Sequence, residues 1–88
     1  MQPVVIYTTT SCGFCRSAKA WFSARGIPFS EVDVTGDDAA RVALVERSGG
    51  QRTVPQIFVG DVHVGGYSDL VALDGQGKFT PLLETAKA

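Results

Sequence analysis

The sequence predicts an α/β fold built on a four-stranded mixed sheet with helices on both faces. Three observations predict it. The β-branched and aromatic run Val4-Val5-Ile6-Tyr7-Thr8 is followed by apolar residues at helical spacing. A second strand-like stretch and a second helical stretch then repeat that alternation, and strand–helix–strand units make parallel neighbours by a right-handed crossover. Finally, two short apolar runs flank Gly60-Asp61, the mark of an antiparallel hairpin.

Val4 to Thr8 is unbroken by polar alternation, as in a strand buried on both faces. Cys15, Ala18 and Phe22 recur at i, i+3 and i+7 with Trp21 beside them, which reads as an amphipathic helix to about Arg25. Gly26 suits the left-handed residue past its end, and Pro28 forbids continuation. Phe29 to Val34 reads as a second strand, with Phe29, Val32 and Val34 apolar. Thr35 or Asp37 can cap a second helix, with Val42, Leu44 and Val45 facing inward and an end at Gly49-Gly50. Gln56 to Val59 is the third strand, Gly60-Asp61 a tight turn, and Val62-His63-Val64 the fourth strand. A short helix capped by Ser68 follows. Thr80-Pro81 then supplies an N-cap and a proline at the first helical position for a last helix ending in Lys87. The order β-α-β-α-β-β-α plus a C-terminal helix is that of the thioredoxin fold.

At 88 residues there is room for one modest core, so a single domain spanning 1–88 is expected, with no linker or repeat. A hydrophobic share of 44% with 19% charged residues is that of an ordinary globular protein. A net charge of −1 argues against a nucleic-acid surface, which would cluster Lys and Arg. No apolar run approaches the ~20 residues of a membrane span. Met1-Gln2-Pro3 leads into the first strand without a basic region or cleavage site, so the expected compartment is the cytoplasm.

The two cysteines, Cys12 and Cys15, stand three apart where the first strand hands over to the first helix. A helix start presents unpaired N–H groups and the positive end of the dipole. A thiolate there is stabilised, which lowers its pKa from ~8.5 into the roughly 3.5–7.5 range of such sites. Cys12, at the cap, gains most, and Cys15, one turn in, suits the resolving thiol. Two other readings are weaker. A zinc site lacks ligands, since one histidine, His63, is all that accompanies the pair, and two inert buried cysteines would not need this spacing at a strand–helix junction. His63 itself reads as a surface or satisfied residue, and Trp21 as packing for its helix.

Thr53-Val54-Pro55 stands before the third strand, where a proline's missing N–H is harmless, but an X-Pro bond can also be cis. Gly65-Gly66-Tyr67-Ser68-Asp69 can be a hinge and a cap, or a close-approach loop whose amides at Tyr67, Ser68 and Asp69 accept a carboxylate.

Taken together, Tyr-Thr before Cys-X-X-Cys, then Thr-Val-Pro-Gln-Ile-Phe, then Gly-Gly-Tyr-Ser-Asp-Leu resemble a bacterial dithiol glutaredoxin. The resemblance covers nearly the whole chain, through Ala72-Leu73-Asp74 and Pro81-Leu82-Leu83. It implies a glutathione-dependent thiol–disulfide oxidoreductase, with glutathione as co-substrate and disulfide-containing or glutathionylated proteins as partners. Cys12 and Cys15 would be catalytic, and the Val54-Pro55 bond cis, with Val54 pairing to the backbone of glutathione like an added strand. Thr53, Pro55 and Gly66 would line the same site. Tyr67, Ser68 and Asp69 would hold the γ-glutamyl end, Arg52 the glycyl carboxylate, and Phe14 would flank the thiol.

Three features depart from that pattern. Gly13-Phe14 replaces the usual Pro-Tyr between the cysteines, Thr9 stands where many relatives carry lysine, and Ser48-Gly49-Gly50-Gln51 reads as a small insertion near the glutathione groove. The anchoring task of that lysine falls to Arg52, Arg16 or the helix dipole. A small residue such as Gly13 also occurs in relatives that hold a [2Fe–2S] cluster between two subunits, with Cys12 of each chain and two glutathiones as ligands. The alternative function is therefore an iron–sulfur carrier or sensor. The chain is expected to be a monomer, and a dimer only if such a cluster bridges it.

Overall fold

In the computed structural model, which describes residues 2–85, the first strand, β1 (Val4–Thr8), sits in the interior of the sheet. After it come α1 (Gly13–Ala24), β2 (Ser30–Asp33), α2 (Asp38–Arg47), β3 (Gln56–Val59), β4 (Val62–Gly65), α3 (Tyr67–Gly75) and α4 (Phe79–Thr85). The strand order is β2-β1-β3-β4. β1 runs parallel to β2, with Ile6 opposite Glu31, and antiparallel to β3, with Ile6 opposite Ile57. β3 pairs antiparallel with β4, with Phe58 opposite His63. This is the mixed sheet and the thioredoxin topology that the strand and helix signals imply.

The unbroken apolar run of β1 is explained by burial on both sides. On one face Val4 and Ile6 pack with Ile57 and Val59 of β3, Ala18 and Phe22 of α1, Leu70 of α3, and Phe79 and Leu83 of α4. On the other face Tyr7 packs with Phe58, Val34 and Leu44 of α2. Trp21 joins the first layer edge-on to Phe22 and Phe79, with the Arg25 guanidinium 3.8 Å above its ring.

Three helices end alike. Past α1, Gly26 N–H donates to Ser23 O and Ile27 N–H to Phe22 O; past α2, Gly49 to Glu46 and Gly50 to Val45; past α3, Gly77 to Asp74 and Lys78 to Leu73. These are Schellman closures, and Gly26, Gly49 and Gly77 take the left-handed φ they require, between 66° and 71°. The Ser48-Gly49-Gly50 segment that reads as an insertion is thus the closure of α2.

Several boundaries differ from expectation. α1 begins at Gly13, and α2 ends at Arg47, ahead of the two glycines. Of the two candidate caps for α2, Asp37 accepts Ala40 N–H at 3.0 Å, whereas Thr35 is bonded elsewhere. Val42 does not face inward; it is 57% exposed. At about 100° per residue, Val42 and Leu44 point to nearly opposite sides of a helix, and Leu44 is the one buried. β2 is shorter than Phe29–Val34, although Val34 is wholly buried and donates to Thr8 O at 2.9 Å. α3 starts at Tyr67 with Gly66 as its cap, not Ser68, because the Asp69 carboxylate occupies the Gly66 amide. α4 starts at Phe79, which places Pro81 third in the helix, still among the four leading residues whose N–H groups have no intrahelical use. Lys87 lies outside the described residues.

The parallel edge carries an ionic contact. Thr8, wholly buried, donates its hydroxyl to Glu31 Oε2 at 2.6 Å, and Lys19 Nζ lies 2.9 Å from the same oxygen. The Thr8 hydroxyl first, then the Lys19 ammonium, hold the Glu31 carboxyl below its ordinary 4.5. A depressed carboxyl contributes stability above its unfolded pKa and loses it as pH falls through the folded value. The Lys19 and Glu31 side chains are 32% and 35% exposed, so solvent screens the pair to about 1 kcal/mol or less. Glu31→Gln should therefore lower the urea midpoint slightly at neutral pH. The gap to the parent chain should narrow as the pH is taken below 4.5, which unfolding curves across that range will check.

Candidate active site

Only four residues separate the end of β1 from the start of α1, so the strand delivers its chain directly onto a helix N-terminus. Cys12 is the N-cap, extended at φ −100° and ψ 111°, and its Sγ accepts the Cys15 N–H at 3.0 Å. Cys12 is half-buried, while Cys15, in the first turn, is 1% exposed. The two are joined in a disulfide, with Cα atoms 5.1 Å apart. The loop leading to Cys12 is held by the end of β2: Thr10 N–H donates to Thr35 Oγ1 at 3.0 Å, and Thr35 N–H to Asp33 Oδ1 at 2.8 Å. That backbone bond from Thr35 keeps the Asp33 carboxyl below its ordinary 3.8. Arg16 reaches back over the same loop, where a Cβ on Gly13 would stand 3.9 Å from its Nη2.

Opposite the cysteines, the Val54-Pro55 peptide bond is cis, and the Val54 carbonyl oxygen is 3.7 Å from Cys12 Sγ. The hairpin of β3 and β4 then brings the start of α3 alongside. Tyr67 lies nearly parallel to the 68% exposed Phe14, with ring centroids 6.3 Å apart. Between these parts runs an open groove of about 490 Å³. Of the residues singled out in the sequence, Phe14, Thr53, Val54, Pro55, Gly66, Tyr67, Ser68 and Asp69 all line it. Arg52 does not. It lines a separate groove with Arg41, Val42 and Val45 of α2.

Gly65, the other glycine of the close-approach loop, lines it too, and four further residues do so without having been singled out for it: Gln51, Gln56, His63 and Val64. Gln56 is part of the Thr-Val-Pro-Gln motif, and its place at the head of β3 was its available signal. His63 had none, because only the hairpin register sets it beside Phe58, on whose ring it stacks at 4.8 Å.

Gly65 and Gly66 do different work. Gly65 has φ +114°, and a Cβ there would stand 2.9 Å from Asp69 Cγ. Gly66 is extended and gives its N–H to Asp69 Oδ2 at 2.9 Å. Gly65→Ala should thus strain the backbone by about 1–3 kcal/mol and push Asp69 off its cap. The expected outcome is a lower denaturation midpoint together with weaker binding of any anion at the start of α3, read by calorimetry.

A sulfur at a helix cap, a second sulfur one turn behind, and a groove open beside them constitute a site for thiol–disulfide exchange on the thioredoxin fold. Among the described residues no group of three or more His, Cys, Asp or Glu side chains is placed to hold a metal ion. No helix among them is long and apolar enough to cross a membrane. Comparison with known proteins narrows the class. Residues 4–64 match the glutaredoxin family model. Glutaredoxin 3 of Escherichia coli K12 is 45% identical over 96% of this chain and 100% of its own length. The glutaredoxin of Pseudomonas aeruginosa is 46% identical over 94% of this chain and 98% of its own. The solution structure of glutaredoxin from Brucella melitensis superposes with a TM-score of 0.84 at 45% identity, covering 100% of this chain and 95% of that one. A buckwheat glutaredoxin–glutathione complex superposes at 0.82 with 33% identity, covering 93% and 76%. The chain belongs to the glutaredoxin family. Its activity is glutathione-dependent thiol–disulfide exchange, with glutathione as co-substrate and disulfide-containing or glutathionylated proteins as partners.

Proposed function

We propose that Cys12 is the attacking thiol, that Cys15 resolves protein disulfides, and that the groove from Phe14 to Asp69 holds the glutathionyl moiety. The carrying observation is the 3.0 Å bond from Cys15 N–H to Cys12 Sγ, which stabilises a thiolate at the half-exposed position while Cys15 stays buried. On a glutathionylated protein, the Cys12 thiolate attacks the glutathione sulfur. A Cys12–glutathione disulfide forms, the protein–sulfur bond breaks, and the protein thiolate leaves and takes a proton from water. A second glutathione thiolate then attacks the bound glutathione sulfur, releasing glutathione disulfide and restoring Cys12. On a protein disulfide, Cys12 forms the mixed disulfide and the Cys15 thiolate displaces the substrate. That step makes the Cys12–Cys15 bond, which two glutathiones reduce in turn.

In the groove, the Val54 backbone offers strand-like pairing to the tripeptide, with Thr53 and Pro55 beside it. Gly66, Tyr67, Ser68 and Asp69, at the positive end of the nine-residue α3, receive its γ-glutamyl end, and Phe14 covers the sulfur. The buckwheat relative is a complex with glutathione, which supports glutathione as the ligand. Arg52, in its separate groove, is given no part in holding the glycyl carboxylate, and Arg16 brings a guanidinium to the cysteine loop instead. The iron–sulfur reading rests on Gly13, and no step here is routed through a metal. We further infer a cytoplasmic site of action, where an exchanging thiol pair stays reducible. Residues 1–88 act as one domain, for α4 places Phe79 and Leu83 in the same core as β1.

Paired variants test the assignment. Cys12→Ser should abolish release of glutathione from a glutathionylated peptide, and Cys15→Ser should retain it within several-fold while losing reduction of a protein disulfide. Equal loss in both variants would show that the single-thiol route does not operate.

A further inference from the structure

Gln56 is a nearly buried amide, 4% exposed, at the floor of the groove, and both ends of it are bonded. Its Oε1 meets His63 Nε2 at 2.6 Å, and its Nε2 donates to Thr53 Oγ1 at 3.2 Å. An amide oxygen can only accept, so with the Gln56 oxygen on this side the bond requires the Nε2–H tautomer of His63. The three side chains therefore form one chain of donors pointing the same way, from His63 through Gln56 to Thr53. Its last member, the Thr53 hydroxyl, accepts from Gln56 and keeps its own proton. Among the described residues, no acceptor takes that proton. Thr53 and His63 both line the groove, and successive bonds in such a chain polarise one another.

We propose that His63 is a positioning residue: acting through Gln56, it aims the Thr53 hydroxyl proton at an acceptor oxygen of glutathione bound in the groove. The inference rests on the groove being the glutathione site. Its physical content is direction. Without a donor at position 63, one end of the Gln56 amide is left unbonded in either orientation, so nothing keeps its oxygen turned away from Thr53 and the oxygen is free to accept the Thr53 proton. The Thr53 proton is then consumed inside the protein and is no longer offered to the ligand. The stacking of His63 on the buried Phe58 ring holds the imidazole in the plane this chain needs.

The test uses the whole chain and a glutathionylated peptide as substrate, with KM and kcat measured separately. His63→Leu should raise KM about five- to tenfold, the worth of one hydrogen bond, with kcat within about twofold. Thr53→Val should do the same, and the double variant should be no worse than either single one, because both break one chain. His63→Gln, which restores a donor, should return KM to within about twofold of the parent. Tyr67→Ala serves as the control for the groove itself. If it raises KM and His63→Leu does not, glutathione binds in the groove and the relay is wrong. A multiplying effect in the double variant, or failure of His63→Gln to rescue, would also overturn the relay. If neither Tyr67→Ala nor His63→Leu moves KM, glutathione binds elsewhere and both readings fall.

Discussion

The hydrogen bond from the Cys15 amide to the Cys12 sulfur is the constraint around which the rest of the molecule is arranged. It exists because Cys12 is extended while Cys15 is already helical, which needs a strand that runs into a helix with almost no loop. A longer connection would let the sulfur swing away, and a helix begun earlier would bury it. The bond sets an asymmetry between two chemically identical side chains. One sulfur is half-buried beside the groove-lining Val54 and receives a donor, and the other is enclosed by the core. On the proposed assignment, attack and resolution follow from that difference in place rather than from any difference in residue type.

Holding the junction in register requires anchoring from both sides. Below, β1 is locked between β2 and β3, with apolar side chains entering both layers. To one side, Asp33 and Thr35 at the end of β2 tie the backbone of Thr10. Across the gap, the Val54 carbonyl lies against the Cys12 sulfur. The helices are shared unequally: α1, α3 and α4 pack on one face of the sheet, and α2 alone on the other. On that sparser face Leu44 packs with Tyr7, Val34 and Phe58 of the inner strands and their neighbours, while His63, on the outer strand, keeps an exposed side. The floor of the groove continues onto this uncovered strip, which is why polar residues such as Gln56 and His63 are reachable from it.

Gly66 and Asp69 illustrate how a cap can serve two purposes. The carboxylate of Asp69 satisfies the Gly66 amide, one of the groups that a helix start leaves unpaired. Tyr67, Ser68 and Asp69, the leading residues of α3, line the groove, and a helix N-terminus favours an anion. Gly65 is needed behind them because its positive φ and the closeness of Asp69 leave no space for a side chain.

Much of this was written in local pattern. The strand runs, the hairpin turn at Gly60-Asp61, the glycine after α1 and the cysteine pair at a strand–helix junction are short-range signals, decided within a few residues by sterics and hydrogen bonding. They sufficed for the fold, for the two reacting sulfurs, and for most of the groove's residues once three motifs were read in order. What failed locally did so for reasons outside the local segment. Val42 is as apolar as Leu44, but only the position of the sheet decides which of the two is covered. Arg52 adjoins the site in sequence but lines a different groove from its neighbours Gln51 and Thr53, a division that no local signal carries. Ser68 is a good capping residue, yet the Asp69 carboxylate reached the Gly66 amide and set the helix start two residues earlier. His63 shows the same division most plainly. By itself the sequence determined that a histidine lies on a hairpin strand, whereas its stack on Phe58, its bond to Gln56 and its place in the groove were decided by pairing between strands, since neighbours across a sheet are set by register and not by adjacency.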